Sequence, residues 1–375
     1  MHDPSVPAYG ADWLGALLPA AAAALGAPTG LPAFQLPATN ALCVVLIDGL
    51  GSQLLAESAD LAPFLAGLAS APGSSVRVGC PTTTATSMGS FGTGLSPGRH
   101  GLVGYEVLDP ARGVLLNELR WSPDTDPLAW QPFPTLFEHL VAHGIQVTRI
   151  GNPEFADSGL TLAAHRGGGF VGVSALADRV TAALTMMTGG GRTLSYLYWG
   201  DLDTAGHQHG WRSPNWQAEL GRVDRAVADL AARMPSGAVL VVTADHGMVD
   251  VPHARRLDLA TAPGLRRGMA ILGGEPRLAQ LYCHAGAAGG VAARFSDVLG
   301  DRAWVRTRAE AIAAGWFGPV DDRVLPRIGD VLVAARDSFA LVDSDVTAPL
   351  VLGLVGQHGS LTEAEQWVPM LVHVA

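Results

Sequence analysis

The chain has 375 residues, 48% apolar and only 15% charged, which supplies material for a substantial core and disfavours long disorder. Its formal net charge of −10, from 24 basic and 34 acidic side chains, disfavours stable nucleic-acid binding. All the basic residues are arginine, so a lysine-based mechanism is excluded.

The chain opens Met1-His2-Asp3-Pro4, with no basic region ahead of an apolar run. The alanine-rich residues 14–25, inside a predicted helix over 11–26, therefore read as a surface helix and not as a signal peptide. No segment has the length and apolarity of a membrane span, and a cytoplasmic location is the expectation. Residues 41–47 form an unbroken apolar run, suited to a strand buried on both faces of a parallel sheet. Cys43 lies in that run; with Cys80 and Cys283 it makes neither a disulfide framework nor a zinc knuckle. The run ends at Asp48-Gly49-Leu50-Gly51. An acid there stands where α/β sheets place their ligands, or else caps the next helix.

A helix over 60–68 and a short strand over 75–79 lead into Cys80-Pro81-Thr82-Thr83-Thr84-Ala85-Thr86-Ser87-Met88-Gly89. Hydroxyls at a helix start meet free backbone N–H groups and the positive end of the helix dipole. Such clusters often do no more than cap helices. A free hydroxyl becomes a good nucleophile only beside a base or a metal. The chain offers metal-ligand types at Asp48, Asp203, His207, Asp245, His246 and His358.

A loop over 95–101, a helix over 134–143, a strand over 145–150 and a helix over 174–187 come next. His139 and His143 lie one helical turn apart with nothing nearby to complete a site, and read as surface residues. The next buried strand, 193–199, runs directly into Gly200-Asp201-Leu202-Asp203-Thr204-Ala205-Gly206-His207-Gln208-His209-Gly210. Asp203 and His207, four apart, fall on one side of a helical turn and can grip one ion. Asp201 and His209 compete for the same role. A helix over 214–234, capped by Ser213, shows Leu220, Val223, Val227 and Leu230 as one stripe facing the sheet. A third central strand, 238–244, ends in Asp245-His246-Gly247-Met248.

From 263 to 343 short strands and helices alternate as in a small α+β insertion, which could be a lid or one wall of a cleft. The chain then returns through Gly356-Gln357-His358-Gly359 to a strand over 367–374 that closes the sheet. The glycine triplets at 167–169 and 189–191 read as turns.

Asp48-Gly49, Pro81-Thr82-Thr83-Thr84, Asp203-x-x-Gly206-His207, Asp245-His246-Gly247 and Gly356-x-His358-Gly359 follow the order of the alkaline phosphatase superfamily. The chain most resembles its nucleotide pyrophosphatase/phosphodiesterase branch. Each motif is weak alone; together, from residue 48 to 359, they are specific. The resemblance implies an α/β three-layer sandwich with a mostly parallel central sheet. Residues 1–262 and 344–375 would form the catalytic core and 263–343 a small α+β, cap-like insertion. It also implies two divalent cations, zinc as is usual in the family, with manganese as the alternative. Asp48, Asp245 and His246 would hold one ion together with Thr84, and Asp203, His207 and His358 the other. Thr84, the second threonine of Pro-Thr-x-Thr, is the implied nucleophile, with Thr82, Thr83 and Thr86 as alternatives. The branch often carries an asparagine after the nucleophile helix that contacts the phosphoryl oxygen. Gly101-Leu102-Val103-Gly104-Tyr105 has none; Asn117 or Tyr105 would bind substrate in its place.

The activity so implied is hydrolysis of phosphodiester or nucleotide pyrophosphate bonds of a small substrate through a phosphothreonine. A monoester carries more charge and usually meets a basic residue beside the nucleophile. Lysine is absent and no arginine lies between Cys80 and Pro97, which favours a diester; Arg99, Arg120 and Arg166 are the arginines that folding could bring in. The sulfatase pattern Cys-x-Pro-x-Arg is not met by Cys80-Pro81-Thr82-Thr83-Thr84. A phosphonate hydrolase or phosphomonoesterase of the same superfamily is the alternative. A non-catalytic metal-binding protein on this scaffold is a second, and would be expected to have lost a ligand. Trp121, Trp130 and Trp211 are candidates either to stack on a base or to pack.

Overall fold

The computed structural model describes residues 3–375; the Met1-His2 start lies outside them. The large sheet takes β1 (Ala41–Ile47), β2 (Ser75–Arg77), β3 (Gln146–Gly151), β4 (Gly169–Gly172), β5 (Thr193–Trp199) and β6 (Val239–Thr243). A second sheet takes β7 (Met269–Glu275), β8 (Leu278–Cys283), β9 (Ala303–Thr307) and β10 (Val331–Ala335), before β11 (Trp367–Val374) rejoins the first. Across the large sheet the order is β2-β11-β6-β1-β5-β3-β4. β11 runs antiparallel to both neighbours and every other neighbouring pair is parallel.

The three apolar runs read from the sequence are the three central strands. Every residue of β1 and β6 is buried, as continuous apolar strands require when helices cover both faces. Val44 pairs with Tyr196 of β5 and Val241 of β6, so the three carboxyl ends lie side by side.

Six helices matter for the site: α1 (Leu17–Ala24), α2 (Thr84–Thr93), α3 (Gly159–Ala164), α4 (Leu176–Thr188), α5 (Asp201–His209) and α6 (Pro214–Arg233). Side chains alternate faces along a strand. Tyr196 turns towards Met88 of α2 and His165, while Trp199, three residues on, donates from its indole to Glu219 of α6 at 2.8 Å. The sheet is therefore sandwiched between an α1/α2/α3 layer and an α4/α6 layer. Ser213 Oγ caps α6 by accepting the Trp216 N–H at 3.2 Å, and Leu220, Val223, Val227 and Leu230 are its buried stripe.

Two sequence expectations change here. Residues 14–25 are no surface helix: α1 is buried at every position but Ala23. No charged side chain occurs over 14–25, and a helix that is apolar all round belongs inside. The strand β7 was not anticipated; its Gly273-Gly274 hides a strand pattern, and Gly274 sits at a φ of +78°.

The second sheet is antiparallel, in the order β7-β8-β10-β9. It buries a separate apolar cluster that includes Leu281, Val291, Phe295, Val305 and Val333. Arg256–Asp258 pairs in parallel with Ala340–Val342 where the chain leaves and returns. No described helix is long and apolar enough to cross a membrane.

Candidate active site

β6, β1 and β5 deliver acid and histidine to one edge. Asp48 follows β1, Asp245 and His246 follow β6, and α5, which starts straight after β5, carries Asp203 and His207. The helical spacing works as expected: His207 Nε2 is 3.3 Å from Asp203 Oδ2. Close backbone approach makes this edge compact. A Cβ on Gly206 would lie 2.4 Å from Met248 Sδ, and one on Gly247 1.9 Å from the Ala364 carbonyl oxygen.

The threonine stretch meets the His358 loop directly. Thr82 N–H donates to Gly359 O at 3.1 Å, and Thr82 Oγ1 donates to Ser360 O at 2.7 Å. Thr83 takes extended backbone, and α2 begins at Thr84. Ser87 Oγ donates to Asp245 O at 2.6 Å, which fixes α2 against the β6 turn. Thr82, Thr83 and Thr86 are buried, whereas Thr84 is half-buried and faces the cavity described below. Its Oγ1 lies 3.3 Å from His246 Nε2.

Each of the three histidines is held by a backbone carbonyl. Nδ1 of His207, His246 and His358 meets Gly356 O at 2.7 Å, Gly247 O at 3.1 Å and Thr82 O at 2.9 Å. A carbonyl only accepts, so each Nδ1 carries the proton and each Nε2 turns a lone pair inwards. His207 and His358 thus present two lone pairs 3.2 Å apart. His246 stacks on His358 with ring centroids 3.6 Å apart.

The carboxylates complete the pattern. Tyr198 donates its hydroxyl to Asp48 Oδ2, and Gly49 N–H donates to Asp245 Oδ1 at 3.1 Å. The remaining oxygens, Asp48 Oδ1 and Asp245 Oδ2, are buried without a hydrogen-bond partner, as is Asp203 Oδ1. They lie 3.3 Å (Asp48) and 3.6 Å (Asp245) from His246 Nε2. Burial pushes the Asp48 carboxyl well above the usual range, and the charges of Asp245 and Asp203 push it further. Burial raises Asp245 too. His358 is driven down by burial first, then by His246 and His207.

A buried polar atom left unpaired is costly. Here three orphaned carboxylate oxygens and inward lone pairs share one small volume, and the Thr84 hydroxyl, 3.3 Å from His246 Nε2, is the donor placed among them. Asp203, His207 and His358 each bring a ligand atom within 4.8 Å of the others, and so do Asp48, Asp203 and His246. This mixed N/O donor set fits divalent cations. Asp201 is exposed on the cavity rim and His209 is exposed; neither joins these groups.

Beside Thr84 opens a cavity of about 360 Å³, lined among others by Asp48, Asp203, Tyr198, Phe155, Phe170 and Arg149. Asn117 and Tyr105 do not line it: Asn117 Oδ1 accepts the N–H groups of Leu119 and Arg120 in its own turn, at 3.0 and 2.9 Å. Nor do the three flagged tryptophans. Trp130 donates to Glu118, Trp121 packs edge-on to it, and Trp211 packs on Trp216. Of the flagged arginines, Arg99 pairs with Asp321, Arg166 with Glu138, and Arg120 is exposed. The arginines that reach the cavity are Arg149 and Arg179. Sequence reasoning missed both, because each sits inside a stretch read as ordinary strand or helix.

A mostly parallel sheet whose central strand ends gather these acids and histidines around a helix-start threonine is the arrangement of the alkaline phosphatase superfamily. Within it, the chain belongs to the type I phosphodiesterase / nucleotide pyrophosphatase family, whose sequence model matches residues 42–361. Solved structures agree on the fold. Murine ectonucleotide pyrophosphatase/phosphodiesterase 5 is 18% identical, with 89% of this chain and 88% of that one aligned at a TM-score of 0.67. The human protein of that name is 18% identical, with 89% and 87% aligned at 0.65. Phosphonoacetate hydrolase from Sinorhizobium meliloti, in complex with phosphonoacetate, is 21% identical, with 90% of each chain aligned at 0.69. No curated protein matches the chain.

Proposed function

We propose that the chain is a metal-dependent hydrolase of phosphodiester or nucleotide pyrophosphate bonds in small substrates, with Thr84 as nucleophile. The observation that carries this is the convergence of three histidine lone pairs and three orphaned carboxylate oxygens on the one threonine of its cluster that faces a cavity. Asp48, Asp245 and His246 would hold one cation beside Thr84, and Asp203, His207 and His358 a second. When bound, such cations neutralise the carboxylates, acidify the Thr84 hydroxyl and polarise the phosphoryl oxygens.

Thr84 Oγ1 gives up its proton and forms a bond to phosphorus while the alcohol or phosphate on the far side takes the bonding electrons and leaves, the departing alcohol taking up a proton from water in exchange. Water then attacks the phosphothreonine, which returns the hydroxyl to Thr84 and releases the acid. The first turn of α2 favours negative charge at this point. Tyr198 and the Gly49 N–H hold Asp48 and Asp245 by one oxygen each, which aims the other inwards. The family match supports the diester reading. An inactive threonine-to-alanine variant of the murine relative, solved in complex with AMP, supports a threonine nucleophile.

The test is hydrolysis of bis-p-nitrophenyl phosphate, p-nitrophenyl phosphate and p-nitrophenyl phenylphosphonate, with and without a chelator. Diester preference lost on chelation is the expected result. A phosphonate or monoester preference moves the protein to a neighbouring activity. Retention at a chiral phosphorus follows from two inversions, and net inversion rules out the phosphothreonine.

A further inference from the structure

Among the described residues four arginines are buried, and three of them donate two or more hydrogen bonds of 3.0 Å or less. Arg277 meets Glu365 with Nε at 3.0 Å and Nη2 at 2.7 Å, and also donates to the carbonyls of Asp337 and Phe339. Arg179 donates to the carbonyls of Val173, Tyr198 and Ser174. Arg327 donates to Gly101 and Trp130 and lies 3.5 Å over the Trp130 ring.

Arg149 is the exception. It is 9% exposed, and its one hydrogen bond is a long one, 3.4 Å, to Gly168 O. Its Nε has no partner; Arg327 shares that lack but makes bonds of 2.9 and 3.0 Å through Nη1, which Arg149 does not, and the Phe170 ring centroid lies 5.7 Å away. Asp157 lends favourable charge only from beyond hydrogen-bond reach. A second unpartnered nitrogen, His165 Nε2, is also buried on this cavity wall. A guanidinium taken out of water needs a partner, and this one faces the cavity that opens on Thr84.

We propose that Arg149 receives an anionic group, a carboxylate or a phosphate, on the part of the substrate that fills this cavity. The proposal rests on the hydrolase reading above and narrows it: the substrate is a phosphoryl compound with a second negative group at a distance. The fold sets that distance. Arg149 pairs with Tyr196 of β5, and Tyr196 with Val44 of β1. Arg149 is therefore two strand spacings, roughly 10 Å, from the strand that carries Asp48. The spacing leaves room for a linker between the phosphoryl group and the second anion, and phosphonoacetate, whose carboxylate stands one methylene from phosphorus, is the short end of that range. A guanidinium fork suits a planar carboxylate or a phosphate, with two parallel donors.

The experiment is calorimetric binding of ω-carboxyalkylphosphonates of increasing chain length to the zinc-loaded protein. A parallel series of α,ω-bisphosphonates distinguishes phosphate from carboxylate. Affinity should rise from phosphonoacetate to an optimum at longer chains, by about 10- to 100-fold, the size of a charged hydrogen-bonding contact. In Arg149→Met that ratio should fall towards one, with Arg149→Lys between. Melting of the unliganded Arg149→Met protein should match or exceed wild type, because a poorly paired buried charge has gone. Affinity flat with chain length, or a rise that survives Arg149→Met, overturns the assignment. Hydrolysis of bis-p-nitrophenyl phosphate by the same preparation tests the reaction itself separately.

Discussion

Two clusters of buried charge lie on either side of the His358 loop, and they are finished in opposite ways. Arg277 and Glu365 pair through two parallel hydrogen bonds, and neighbouring groups satisfy the rest of both side chains. Glu365 also accepts the Ser360 N–H at 3.0 Å, and its backbone carbonyl accepts the Gly247 N–H at 2.9 Å. This knot ties the second sheet to both ligand-bearing loops. Asp48, Asp203 and Asp245 sit a few residues away with an orphaned oxygen each. The first cluster is a joint and the second a socket. Burial alone does not tell them apart; the count of unmade hydrogen bonds does.

The sharpest way to break that contrast is in the socket. Thr84→Ala should keep its metal content and its melting temperature while turnover falls by about 10³-fold or more. Preserved turnover would move the chemistry to another residue. Asp245→Asn should lose metal and activity together, yet leave the metal-free protein as stable as wild type or more so, since one of three crowded carboxylates is neutralised. A joint residue must behave in the reverse sense. Arg277→Met leaves Glu365 buried and unpaired and should cost about 3–5 kcal/mol in urea unfolding, whereas Arg277→Met with Glu365→Leu recovers part of it. If the single variant is as stable as wild type, the knot does not hold the sheets together. Zinc sharpens the comparison from outside: at a hundredfold excess over its dissociation constant it should add about 2.7 kcal/mol to wild type. Asp245→Asn should show much less.

How much of this was legible follows from where the information sits. Asp48, Asp203, Asp245 and His246 stood out because each ends or closely follows an unbroken apolar strand, and buried parallel strands are among the plainest patterns a sequence has. Thr84 and His358 needed the resemblance, since hydroxyl and glycine-rich loops look alike until they are placed. The Thr82–Gly359 contact that joins them spans 277 residues and leaves no local mark. Arg149 was invisible for another reason: one charged residue in a strand reads as the solvent side, and only the cavity shows that it points inwards. Asn117 failed as a cavity residue because its carboxamide is spent on its own turn, a use that short polar side chains often find.

The smallest effect concerns pH, and it asks whether satisfied burial carries a cost of its own. His100 is fully buried in the neutral form, with Nε2 donating to Ser90 Oγ at 3.0 Å and Nδ1 accepting the Leu102 N–H at 3.1 Å. Burial, then Arg323 and Arg327, lowers its pKa from 6.5 to about 3. The group is depressed in the folded state, so its stabilisation is complete above the unfolded value of 6.5 and drains away as pH falls towards 3. Between those limits only the unfolded chain takes up the proton, at about 1.4 kcal/mol per pH unit. Glu118 works the other way: burial raises it from 4.5 to about 8, so its contribution is full below 4.5 and falls as pH rises to 8. The two oppose each other from 4.5 to 6.5, and only the histidine acts below that. His100→Asn should therefore shift the slope of a stability-against-pH curve by about 1.4 kcal/mol per pH unit throughout pH 6.5 to 3: below 4.5 the acid limb flattens, and between 4.5 and 6.5 the opposing slope of Glu118 is uncovered. Parallel limbs for wild type and variant would mean that His100 is protonated in the fold, with Ser90 and Leu102 differently arranged.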